Sequence, residues 1–173
     1  MKKSPLALQR CSVAQTLALV GEWWTLLIVR EAFFGTRRFG DFQARLGVAR
    51  NILTRRLNAL VAAGILSRHE ERGRGAPVAY RLTESGRDLL PVIIALLQWG
   101  DRWIYGPDAA PARIVEAATG VEIASIGIRS STGQTLMPRD LVALAGPGAG
   151  PAECARFAAM QEERAARRRA RQS

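Results

Sequence analysis

The chain has 173 residues, 48% of them hydrophobic, enough for one packed globular domain of ordinary size with an appendage. Its longest apolar run, Leu89–Leu97, contains Pro91 and falls well short of the roughly 20 residues that cross a bilayer, which excludes a membrane span by this reading. The formal charge is +10, and residues 37–81 alone hold ten arginines against Asp41, Glu70 and Glu71, a density that points to a polyanionic partner.

MKKSPLALQRC has two lysines but no apolar segment after them, so no secretory signal is expected and a cytoplasmic location follows. Cys11 and Cys154 lie far apart and form no disulfide framework. Ser12 is placed to cap a helix running through Val20, with Gly21 at its end. EWWTLLIVREAFFG predicts a second helix closed by Gly35. In FGDFQARLG the residues Phe39, Phe42 and Leu46 share one face of a third, short helix that Gly47 ends. A fourth helix, RNILTRRLNALVAAG, has Leu53, Leu57, Leu60 and Val61 on its apolar side and Gly64 as its stop.

After Gly64 the period changes to alternation. ILSRHEE and VAYRLT are short strand candidates, the second with Val78, Tyr80 and Leu82 on one face and Ala79 and Arg81 on the other. RGRGAP between them gives a hairpin tip in which Gly73 and Gly75 permit the turn and Arg72 and Arg74 supply charge. Thr83 then caps a long helix over ESGRDLLPVIIALLQWGDRWIY, bent by Pro91. Its apolar residues, among them Leu96, Trp99 and Trp103, nearly encircle it, so part of this helix is expected to pack against another chain. From Gly106 the composition shifts: GPDAAPAR is linker-like, VEIASIGIRSSTGQTLMP suggests a small hairpin around Ser130–Gly133, and the Ala/Arg-rich tail is a helix candidate. The expected organisation is a domain over 1–105, a small β-rich extension over 106–150 and a tail over 151–173.

The order of these elements is that of a mostly α winged helix-turn-helix domain with a small β-hairpin, followed by a small C-terminal extension. A helix fits the major groove, where Arg and Asn make bidentate contacts to guanine and adenine. Arg50, Asn51, Thr54, Arg55 and Asn58 lie along one side of the fourth helix and are the candidate readers of double-stranded DNA. Arg72 and Arg74 on the wing, with Arg37 and Arg38 before the third helix, are the candidate phosphate contacts. Arg56 projects to the apolar side of the same helix and is expected to serve an internal ion pair.

CSVAQTLALVGEWWTLLIVREAFFGTRRFGDFQARL, LTRRLNALVAAGILSR and YRLTESGRDLLPVIIALLQWGDRW together resemble the HxlR-type winged helix-turn-helix regulators, relatives of the MarR group. The likeness covers residues 11–103 and implies a homodimeric transcription factor whose first and last domain helices form the dimer contact. Three positions depart from the family pattern. Ala49 stands where a capping Ser or Thr is usual, and Trp23 where a lysine is common. Threonines in ATG (118–120) and STG (131–133) replace turn cysteines, so no thiolate zinc site can form there. In this resemblance Cys11 falls where some members carry a sensor of oxidants or electrophiles. The helix dipole and Arg10 favour its thiolate, and the alternative is a small hydrophobe in the dimer contact. Trp23, Trp24, Trp99 and Trp103 either serve core and dimer packing or line a pocket for a small aromatic effector. His69 is the single histidine, no catalytic constellation or cofactor motif is found, and no enzyme is expected. The reading is a DNA-binding repressor on a pseudo-palindromic operator, with a winged-helix module for protein or RNA as the alternative.

Overall fold

The computed structural model describes residues 9–70, 78–106 and 108–170. Four helices come first, α1 (Ser12–Val20), α2 (Trp23–Phe33), α3 (Phe39–Leu46) and α4 (Arg50–Ala62), as the apolar periodicities require. Cys11, rather than Ser12, occupies the N-cap of α1, because the chain is still extended there (φ −143°, ψ 122°) and Ser12 is already helical. The α3–α4 turn is tight: Gly47 takes φ +63°, donates its N–H to the Gln43 carbonyl, and lets Val48 drop into the core.

Strands β1 (Leu66–Glu70) and β2 (Val78–Leu82) form an antiparallel hairpin with Leu66 opposite Leu82 and Glu70 opposite Val78. Residues 37–38 add a third short edge, since Arg38 bridges to Ala79 and Tyr80 donates its N–H to the Arg37 carbonyl at 2.8 Å. The segment entering α3 is thereby tied to the wing. The expected hairpin tip with Arg72 and Arg74 lies outside the described residues.

Packing closes these elements around one core of Ile28, Val29 and Ala32 from α2, Phe42 from α3, Leu53, Leu57 and Leu60 from α4, and Leu66 and Tyr80 from the hairpin. Phe42 meets Tyr80 edge-on, with ring centroids 6.4 Å apart. The single long helix expected after Thr83 is divided. Thr83 caps a short α5 (Glu84–Arg87), the chain turns at Asp88–Leu89, and α6 (Leu90–Gly100) restarts with Pro91 in its first turn, where a missing N–H costs nothing. The axis continues as a π-helical turn over Asp101–Tyr105.

The residues up to 126 form one compact unit and those from Gly127 a second. In the second, β3 (Ile128–Arg129) and β4 (Thr135–Leu136) pair antiparallel across the turn expected at Ser130–Gly133. A 3-10 turn (Pro138–Asp140) and the 20-residue α7 (Pro151–Ala170) follow. None of the described residues of this second unit is buried. The fold is a mostly helical winged helix-turn-helix with a small two-stranded wing. Among the described residues no single helix is long and apolar enough to cross a membrane.

Candidate nucleic-acid interface

Helix α4 is amphipathic in a way that separates two jobs. Leu53, Leu57 and Leu60 are fully buried, whereas Arg50, Asn51, Thr54, Arg55 and Asn58 are all exposed. At 3.6 residues per turn these five span an arc of about 140°. They line an open depression of about 1120 Å³ together with Ala59 and Ala62. Arg50 stands in the first turn, where no acidic residue accompanies it. A cation there opposes the helix macrodipole, so it adds nothing to helix stability, and its charge is available to an anion.

Each side chain of the arc has a defined setting. The Arg50 guanidinium lies over the Phe39 ring of α3 at 5.1 Å from its centroid, a cation–π contact that orients it at the turn. Ala49 offers no side-chain cap, and the Asn51 Oδ1 accepts the Ile52 N–H instead, at 2.8 Å. A bidentate contact to adenine uses the carboxamide oxygen as acceptor and its NH2 as donor, and the second lone pair of Oδ1 is the one left for it. Thr54 Oγ1 donates to the Arg50 carbonyl at 2.8 Å. Arg55 and Asn58 project from the same arc into the depression. Arg56 falls outside the arc, and its Nη2 meets Glu22 Oε2 at 2.6 Å; this is the expected internal ion pair.

The flanking cations divide as well. Arg37 is half-buried, and its Nη1 donates to the carbonyls of Ala32 at 2.6 Å and Thr36 at 3.2 Å, so it closes the turn after α2. Arg38 is exposed at the N-cap of α3. Arg72 and Arg74 lie outside the described residues. Arg45 in the last turn of α3, Arg68 on β1 and Arg81 on β2 are exposed cations of the same unit. Their only sequence signal was the local excess of arginine.

One buried acid holds this frame. The side chain of Glu31 on α2 is 8% exposed and accepts from Arg30 Nη2 at 2.7 Å and Thr36 Oγ1 at 3.4 Å, with Arg45 Nη1 3.8 Å away. It thus ties α2, the following turn and α3 together. Elsewhere, Cys11 is exposed at the start of α1 and Cys154 is exposed on α7. His69 is exposed on β1, 2.9 Å from Ser67 Oγ. Trp24 packs on the core, while Trp23, Trp99 and Trp103 are largely exposed.

A family model described as HxlR-like helix-turn-helix matches residues 19–107. An uncharacterized HTH-type transcriptional regulator of Mycobacterium tuberculosis is 41% identical over 137 residues, which is 79% of this chain and 87% of that one. Among solved structures, PA1607 aligns with a TM-score of 0.77 at 36% identity, over 83% of this chain and 100% of its own. PA1374 of Pseudomonas aeruginosa aligns with a TM-score of 0.61 at 38% identity, over 84% and 99%. Both structural likenesses extend past the region that the family model matches.

Proposed function

This chain belongs to the HxlR-like helix-turn-helix family of transcriptional regulators, and from that premise we propose that it acts as a homodimeric repressor, blocking a promoter at a pseudo-palindromic operator. Each α4 enters one major groove, and the half-sites lie about one helical turn, roughly 10 base pairs, apart. Arg50, Asn51, Thr54, Arg55 and Asn58 read or grip the site, and Arg37, Arg38, Arg72 and Arg74 contribute positive charge toward the backbone. Residues 1–105 carry both DNA binding and dimerisation, with 106–150 and 151–173 as an extension, in a cytoplasmic protein.

The observation that carries this reading is the exposed polar arc of α4 opposite its fully buried leucines, with cations at Arg50 and Arg55 that no carboxylate neutralises among the described residues. Selection of duplexes from a random pool by the purified chain tests it. A recurrent inverted repeat is expected, and Arg50→Ala or Arg55→Ala should each cost about 1–3 kcal/mol and relax the preference at one position. Salt-sensitive affinity with no preference among duplexes would instead favour a nonspecific protein- or RNA-binding module.

For regulation, the exposed Cys11 at the N-cap of α1 supports a thiol that responds to an oxidant or electrophile. Loss of DNA binding on peroxide or quinone treatment should disappear in Cys11→Ser. Release that persists in that variant points to a small aromatic effector instead.

A further inference from the structure

The unit from Gly127 has a charged feature of its own. On α7, Arg164, Arg167 and Arg168 follow at i, i+3 and i+4 and therefore share a face. The segment before α7 returns against that face. Arg164 donates from Nη1 to the Leu141 carbonyl and from Nη2 to the Arg139 carbonyl, and Arg168 Nη2 reaches the Arg139 carbonyl at 3.4 Å. Carbonyl oxygens orient these guanidinium groups without neutralising them. The clip also brings Arg139, distant in sequence, to a concavity of about 400 Å³ lined by Pro138, Arg139, Arg164, Arg167 and Arg168.

Four guanidinium groups meet two carboxylates here. Glu163 pairs with Arg167 at 2.5 Å, and Asp140 lies 4.0 Å from Arg139. Glu162 sits two residues before Arg164, on the opposite side of the helix. Cations near a helix C-terminus complement its dipole, which accounts for arginines in the last turn. It does not account for a further arginine folded onto the same face from another segment, where like charges repel. The planar forks of arginine match phosphate oxygens, and the concavity offers no aromatic wall on which a base would stack.

We propose that this arginine concavity is a second nucleic-acid contact, one that binds backbone phosphates of duplex DNA and adds sequence-independent affinity. It rests on the reading of α4 as the DNA-reading helix and extends it to the C-terminal unit. The test compares the full-length wild-type chain with Arg139→Gln/Arg167→Gln/Arg168→Gln, leaving the Arg164 clip in place. Affinity for the duplex selected by the wild type is measured across a salt series.

The slope of log affinity against log salt should fall by about 0.9 for each phosphate no longer neutralised, and binding at 0.15 M salt should weaken about tenfold or more, with half-site preference unchanged. The corresponding triple change to Lys should restore most of the slope. Each single Gln substitution should remove a share of the change, which keeps the test open if the triple variant does not fold. A wild-type slope in the Gln variants overturns the proposal. So does an unchanged DNA slope combined with thermal stabilisation of the wild type alone by inorganic phosphate, since that assigns the concavity to a small anion. Failure of the wild type to bind any duplex overturns the α4 reading as well, whereas intact selection with an unchanged slope overturns this proposal alone.

Discussion

Thr83 and Gly86 join the wing to the helices behind it. Thr83 Oγ1 donates to the Gly64 carbonyl at 2.5 Å and accepts the Gly86 N–H at 3.1 Å. Gly86 itself is buried so close to the start of β1 that a Cβ there would stand 2.2 Å from the Ile65 carbonyl oxygen. Gly86→Ala should therefore lower stability by about 1–3 kcal/mol in urea unfolding, as overpacking against backbone does. Ala49 presents the opposite case. Its extended backbone (φ −59°, ψ 139°) suits a capping serine, and Ala49→Ser should raise the thermal midpoint by a gain of about 0.5–1 kcal/mol. The low end is expected, because Asn51 Oδ1 already accepts the Ile52 N–H. The missing cap was legible in the sequence. The close approach at Gly86 was not, since it depends on the carbonyl of Ile65, on the far side of the whole wing hairpin.

The placement of α4, the proposed reading helix, rests on α2 and α3, and Glu31 ties those two helices together. Glu31→Ala removes the acceptor of Arg30 and Thr36 and the acid beside Arg45. With Glu31 buried but Arg30 and Arg45 partly in water, a loss of about 2 kcal/mol is expected in denaturant unfolding, together with weaker DNA binding. Glu31 gave no signal, because the sequence does not show that it is buried or that Arg45 of α3 comes to it. Arg30 and Thr36 are local partners, but the link to α3 exists only once α2 and α3 pack. Arg56 was legible by contrast, since helical spacing alone turns it away from the polar arc. The break between α5 and α6 was half legible: Pro91 announced a disruption, but the chain turns ahead of it, so that proline opens a helix instead of bending one.

At the scale of the molecule, α1 and the α6–π-turn region carry apolar surface that is exposed among the described residues. Val13, Leu17, Leu96, Trp99, Trp103 and Ile104 are all exposed, from 46% at Leu17 to 68% at Ile104. Such an area is the expected contact of two chains in the proposed dimer. Leu96→Glu, at a position already 52% exposed, should leave the unfolding midpoint nearly unchanged while converting the chain to monomers in sedimentation velocity. Its affinity for a two-half-site duplex should fall steeply, because the second head is then no longer tethered.

By itself the sequence determined the order and type of elements from α1 to β2, the apolar side of α4 and the identity of its exposed arc, because periodicity and glycine stops act within a few residues. Only the tertiary structure decided that Arg37 closes a turn, that Arg50 lies on Phe39, that Glu31 is the hub of the frame and that Arg139 joins the α7 arginines. The Arg37 turn is local but depends on how the chain folds back after α2, whereas the Arg50–Phe39, Glu31–Arg45 and Arg139–Arg164 contacts join separate elements. Pattern carries no information about such meetings until the chain turns and the helices pack.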